Sequence, residues 1–281
     1  MTSAVLVPLD GSHVAEAALP FAGWLADRLR SDVKLLTVLD SSERGDTSQE
    51  AARVNLESLA SRLRAGGRAV STDVHEGKSA ETIADVAASE GVSVVVLTTY
   101  GHGGDAHHLG GTSERLSRTL SKAALFVSPA SDVQAPVTGP LLVALDGSST
   151  AELALQTAQD LARQLHLTVK LVRVAPWANE LFAAFTGLAP PSADEEIELG
   201  SNTYLAGLVE QLPKSVDSDY QTLRGHAAQM LVEYGADQKG ILVQCSHGET
   251  ASQLWHLGST TDKVLRAASV PVLLVPIRRE P

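Results

Sequence analysis

The 281-residue chain has a single cysteine, Cys245. It can form no intrachain disulfide, which fits a reducing compartment. Aromatic residues are only 4% of the chain, so a core has to be built from Ala, Val and Leu. Positive charge is scarce: 22 Lys and Arg stand against 33 Asp and Glu, a formal net charge of −11. Such a surface repels phosphate backbones and anionic lipid, which argues against nucleic-acid and membrane-surface proteins. Long apolar runs are missing too. Val92 to Leu97 and Val270 to Val275 fall far short of the ~20 residues of a membrane helix. The opening residues Met1 to Ala4 carry neither a basic segment nor a secretory apolar stretch, so the cytoplasm is the expected location. No Gly-x-Ser-x-Gly elbow, Walker lysine or Gly-x-Gly-x-x-Gly turn follows a strand, so no hydrolase triad or standard phosphate-loop enzyme is indicated. What the chain does have is 44% hydrophobic residues, enough for a packed core and too many for wholesale disorder.

The chain is written twice. Val5 to Leu19 returns at Leu141 to Leu155 with ten of fifteen positions identical, and Val33-Lys34-Leu35 returns as Val169-Lys170-Leu171. Both are offset by 136 residues. Further on, Gly101 matches Gly248 at an offset of 147, which puts about eleven extra residues in the second copy, between Pro176 and Gly200. Glu114 then matches Asp262 at 148, so the first copy has lost one residue just before. The expected domains are 1–138 and 139–281, joined by the Pro- and Gly-containing stretch from Ser131 to Pro140. Their net charges are −5 and −6, so neither half is a charged tail.

Within the first copy, apolar runs at Val5–Leu9, Val33–Leu39, Ala69–Val74, Val92–Leu97 and Leu125–Val127 alternate with helical spacing at Ala15–Leu29, Ala51–Leu63, Ala80–Ala88 and Thr112–Lys122. Near-continuous apolar strands are those buried on both faces. The expected fold class is α/β: two doubly wound, parallel, five-stranded Rossmann-like domains in tandem. Ligands of such sheets sit beyond the carboxyl ends of the strands, where the winding switches direction.

Two loops therefore matter in each copy. After the first strand come Asp10-Gly11-Ser12 and Asp146-Gly147-Ser148. They read first as a turn with a helix cap, Ser149 and Glu152 having capping-box spacing, and, compatibly with that, as an acid aimed at a ribose or base edge. After the fourth strand of the second copy, Gly248 is followed by nine residues and then Gly258-Ser259-Thr260. Strand, glycine loop and helix start make a phosphate-holding geometry. A capping box of Ser259 with Asp262 is the plainer reading.

These loops, with the closing segment Asp262 to Val275, resemble the universal stress protein family in its tandem form, over nearly the whole chain. Nucleotide-binding members carry Gly, two residues, Gly, nine residues, Gly, then Ser or Thr. The resemblance implies a site for an adenine nucleotide, ATP with or without Mg2+, and pairing through the last strand, as a homodimer or within one tandem chain. It implies that Pro8, Asp10 and Val38 line the first nucleoside pocket, and Asp146 and Val174 the second. Both copies depart from the pattern, with Thr98 and Cys245 in place of the first glycine. In the first copy, counting nine residues on from Gly101 gives Gly111-Thr112. Anchoring on the downstream helix instead pairs Gly110 with Gly258 and Gly111 with Ser259, leaving no hydroxyl. Charge favours the first copy, which has His102, His107, His108 and Arg115, whereas the second has Glu249 and only His256 as a candidate cation.

Other constellations weigh less. His102, Asp105, His107 and His108 share one loop, which suits a polar loop better than a metal site drawn from separate elements. Cys245 reads as buried and inert. The 176–200 insertion, with Trp177, Leu181, Phe182, Phe185 and Pro190-Pro191, reads as a lid or a protein-partner segment. The functional expectation is regulatory binding of an adenine nucleotide in stress response. A nucleotide-independent interaction scaffold is the alternative, and a slow ATPase ranks last.

Overall fold

The computed structural model describes residues 3–40, 46–89, 91–101, 108–131, 134–177, 193–246 and 257–277. The first half contributes β1 (Ala4–Pro8), α1 (Leu19–Leu29), β2 (Asp32–Leu39), α2 (Asp46–Arg64), β3 (Val70–Glu76), α3 (Ser79–Ala88), β4 (Val92–Thr98), α4 (Gly111–Thr119) and β5 (Ala124–Val127). The second half repeats the series: β6 (Leu141–Ala144), α5 (Ser149–Leu165), β7 (Val169–Ala175), α6 (Ala193–Gln211), β8 (Ser218–Arg224), α7 (Ala227–Gln238), β9 (Ile241–Cys245), α8 (Ser259–Ala267) and β10 (Val272–Val275). The expected Ala15–Leu29 helix is split. Ala15–Ala18 forms a 3-10 turn before α1, whose first turn holds Pro20, a residue that cannot donate to the preceding turn.

All ten strands form one sheet in the order β3-β2-β1-β4-β5-β10-β9-β6-β7-β8. Within each half every pairing is parallel. The seam is antiparallel, β5 against β10, with Phe126 opposite Val272 and Ala124 opposite Leu274. Joining there hides two apolar edges, each buried at all four residues. The edges left over, β3 and β8, carry charge: Lys34 pairs with Asp73 at 2.7 Å and Lys170 with Asp219 at 3.4 Å. Charged edges resist pairing with a foreign strand. Val5, Leu6 and Val7 of β1 and Leu141, Leu142 and Val143 of β6 are completely buried, as the apolar pattern requires of central strands covered on both faces.

In each half the winding runs outward from the first strand through the second to the third (β1-β2-β3 and β6-β7-β8) and then returns to the other side of the first strand for the fourth (β4 and β9). The reversal opens a crevice at the carboxyl ends of β1 and β4, and of β6 and β9. The fold thereby brings the Asp-Gly-Ser turn of each half into the same cleft as the start of the helix that follows its fourth strand.

Candidate functional site

Each crevice is a cleft, of about 690 Å3 in the first half and about 680 Å3 in the second, counting space open to solvent. The turn after the first strand is built alike in both. Asp10 Oδ1 accepts from Ser12 N (3.0 Å) and Ser12 Oγ (2.6 Å), and Ser12 Oγ accepts from Ala15 N (3.2 Å). Asp146 Oδ1 accepts from Ser148 N (2.9 Å) and Oγ (2.6 Å), and Ser148 Oγ accepts from Ala151 N (3.1 Å). Gly11 and Gly147 sit at φ +81 and +95, a bend that disfavours any L side chain. Capping and cleft-lining are thus combined, since Asp10 and Asp146 also line the clefts. The cap of α5 is Ser148, one residue before the expected Ser149. Glu152 forms no capping box and accepts instead from Tyr204 OH at 2.7 Å.

The opposite wall is the start of a helix. Gly110 caps α4 and Gly258 caps α8, neither with a side-chain hydrogen bond. The expected capping box of Ser259 and Asp262 is therefore corrected: Ser259 is the first helical residue, and Asp262 holds Arg266 through two 3.0 Å bonds. The ladders decide between the two alignments of the first loop. Gly110 N donates to Thr99 O (2.9 Å) and Gly258 N to Ser246 O (3.1 Å). Ser113 Oγ donates to Thr98 O (2.9 Å) and Thr261 Oγ1 to Cys245 O (3.3 Å). Gly110 is the counterpart of Gly258, and Gly111 of Ser259, so the first loop is one residue shorter and lacks that hydroxyl. Glu114 N and Asp262 N are the first helix donors to close on their caps, reaching Gly110 O and Gly258 O. The amides of residues 111–113 and 259–261 precede that first bond and so have no acceptor within their own helices. Such a terminus, with its aligned dipoles, suits an anion.

Pro8, Val38, Thr98, Gly101, Gly111 and Thr112 line the first cleft with Asp10, and Val174, Cys245, Gly258, Ser259 and Thr260 line the second with Asp146. A Cβ on Gly101 would collide with Asp10 Oδ2. Glycine there lets the carboxylate lie flush against residue 101. Gly248, Glu249, His256, His102, Asp105 and His107 lie outside the described residues, as does 178–192 of the insertion. His108 and Arg115 are exposed. Of the insertion, Ala193 to Gly200 forms the start of α6, and Trp177 lies 5.6 Å beneath the Arg224 guanidinium. Among the described residues no three His, Cys, Asp or Glu side chains could hold a metal, and no helix is long and apolar enough to cross a membrane.

Cys245 is buried, with Sγ 3.8 Å from Ala151 O. Burial pushes its thiol up to about 11, so it is protonated and unreactive at neutral pH. Sequence reasoning missed Arg173. It stands on β7, and its guanidinium lies about 3.3 Å from where a Cβ on Gly147 would be and 5.0 Å over the Tyr204 ring. Burial, then the bond to Glu152, raises the Tyr204 hydroxyl above its ordinary value, so it stays a neutral donor. The first copy has Thr37 at this register, donating to Leu9 O at 3.1 Å. A charged residue amid the buried apolar run of β7 was the available signal.

A tandem, doubly wound α/β protein with a glycine-capped helix start and an acidic turn lining one cleft in each half is the class these features define. The sequence model of the Universal stress protein family matches twice, over residues 1–128 and 138–276. The chain belongs to that family. It is 31% identical over 188 residues to universal stress protein Rv2005c of Mycobacterium tuberculosis, a stretch covering 66% of this chain and 62% of that relative. It therefore matches less than two thirds of that relative's length. It is 27% identical over 304 residues to universal stress protein Slr1230 of a Synechocystis species, covering 96% of this chain and 98% of the relative. A crystal structure of a universal stress protein from Archaeoglobus fulgidus superposes with a TM-score of 0.72 at 18% identity, covering 98% of this chain and 99% of the other.

Proposed function

We propose that the chain binds ATP or a related adenine nucleotide as a regulatory ligand, with one site in each half. The observation that carries this reading is the first turn of α4 and α8, capped by glycine and lining the same cleft as an aspartate. The residues fit the ligand. The helix amides, with the Ser259 and Thr260 hydroxyls in the second cleft, suit phosphate oxygens. Asp10 and Asp146 suit ribose hydroxyls, and apolar strand residues suit the faces of a base. No cation cage is available among the described residues, so Mg2+ would arrive with the phosphates. A cytoplasmic setting would supply ATP, and occupancy would bias contacts with protein partners. The strand-to-strand seam is already made within one chain, so this reading needs no homodimer.

Calorimetric titration with ATP tests it. Binding by the native chain is expected, weakened about tenfold or more by Asp10→Ala at one site and by Asp146→Ala or Gly258→Val at the other. A folded protein that shows no heat at millimolar ATP would leave the interaction-scaffold reading in its place.

A further inference from the structure

The two clefts share their walls but not their floor. The residue just before the strand crest is Leu97 in the first and Gln244 in the second. Gln244 is only 4% exposed. Among the described residues, its Oε1 is the one buried side-chain nitrogen or oxygen without a hydrogen-bond partner. Leaving a buried acceptor unmet is costly, and native proteins seldom do so without a reason. The same cleft presents Val172, Val174, Ala227 and Leu231, an apolar lining with one amide in it. That combination takes a flat heteroaromatic ring and reads its edge. The helix start at Ser259 and the Asp146 turn supply groups for phosphate and sugar elsewhere in the cleft. The terminal amide torsion of glutamine is soft, and a half-turn exchanges its oxygen and nitrogen, so Oε1 can be turned toward a bound base.

The geometry points to Gln244 as the residue that reads the base in the second cleft, its Oε1 accepting a hydrogen bond from the exocyclic amine of adenine. This rests on the nucleotide reading above and goes beyond it, because it makes the two clefts unequal. Leu97 has no acceptor to offer an amine, so the first cleft lacks this contact.

The test uses the full chain carrying Gly101→Val, which forces Asp10 away and isolates the second cleft. ATP, purine riboside 5′-triphosphate (hydrogen in place of the amine) and 2′- and 3′-deoxy-ATP are titrated into this protein and into the same protein with Gln244→Met or Gln244→Leu. With Gln244 present, ATP is expected to bind about tenfold more tightly than the amine-free nucleotide, or ~1.4 kcal/mol. With Met or Leu, which keep the volume and lose the acceptor, that preference falls to about one and the amine-free nucleotide binds as before. Two variants guard against one that folds poorly, which far-UV circular dichroism would reveal. An ATP preference that is unchanged by both, or a coupling that appears with a deoxy-nucleotide instead, overturns base reading while leaving nucleotide binding intact. A native chain that binds none of the four overturns both.

Discussion

At the scale of the residue, the clefts differ by single atoms placed where they count. Gly111 stands at the position that carries a hydroxyl in Ser259, and among the described residues nothing lies within 4 Å of the point where its Cβ would be. Gly111→Ser is therefore expected to leave stability within about 0.5 kcal/mol. It should tighten ATP at the first cleft by up to about tenfold, since a hydroxyl bond to a charged phosphate is of that order. Thermal unfolding and calorimetry on the same sample check the two halves of the statement. Gly101 behaves oppositely. Its missing side chain is what accommodates Asp10, so substitution there acts on the acid rather than on the backbone. Cys245 takes the place of a glycine in the family pattern, yet its thiol bonds toward Ala151 on α5. The replacement thus spends its volume against a helix.

At the scale of the element, three helices end on a left-handed residue that is not glycine: Arg30 after α1, His166 after α5 and Lys239 after α7, with φ between 50 and 57. A Cβ is strained in that region, and glycine is the usual solution. His166 is exposed and its backbone N–H already closes the helix by donating to Ala162 O. His166→Gly is expected to stabilise the protein by roughly 0.5–1 kcal/mol, seen as a rise in the denaturant midpoint with an unchanged slope. Helices α4 and α8 are unlike these three. They are short, their caps are glycine, and their first turns are stiffened by Glu114–Arg118 (2.7 Å) and Asp262–Arg266 pairs. The acid of α4 also reaches Arg266: Asp262 first, and Glu114 after it, raise the guanidinium further. The two cleft-lining helices thus feel each other's charge across the seam.

At the scale of the whole molecule, the seam makes one sheet of two halves. Phe126 is completely buried and faces both Leu97 of its own half and Val272 of the other. Phe126→Ala is expected to cost about 3–5 kcal/mol and to weaken the coupling between halves. Calorimetry should show one cooperative transition in the native chain, and a lowered, broadened or divided one in the variant. Unchanged melting would mean that the halves do not depend on the seam. The antiparallel join also sets the two clefts at equivalent places in the strand order on either side of the seam.

The fold was legible in the residues because buried parallel strands and amphipathic helices leave strong periodic marks, and because the marks occur twice. That Asp10 and Asp146 line the clefts with the glycine-capped helix starts was legible for the same reason: a winding reversal fixes which strand ends meet. The split of the first helix at Pro20 and the shift of the cap from Ser149 to Ser148 depend on backbone turns that spacing resolves only to within a residue. Which of Gly110 and Gly111 answers to Gly258 could not be read from counting, since one missing residue leaves two alignments of equal merit. It took hydrogen bonds from Ser113 and Thr261 to the strand ends to choose. Arg173 beneath the Asp146 turn, and the unmet oxygen of Gln244, likewise exist only once separate strands lie side by side. Sequence by itself determined the duplicated architecture and the chemistry each loop could offer. Tertiary structure decided which atoms remain unsatisfied, because that depends on what distant segments bring near them.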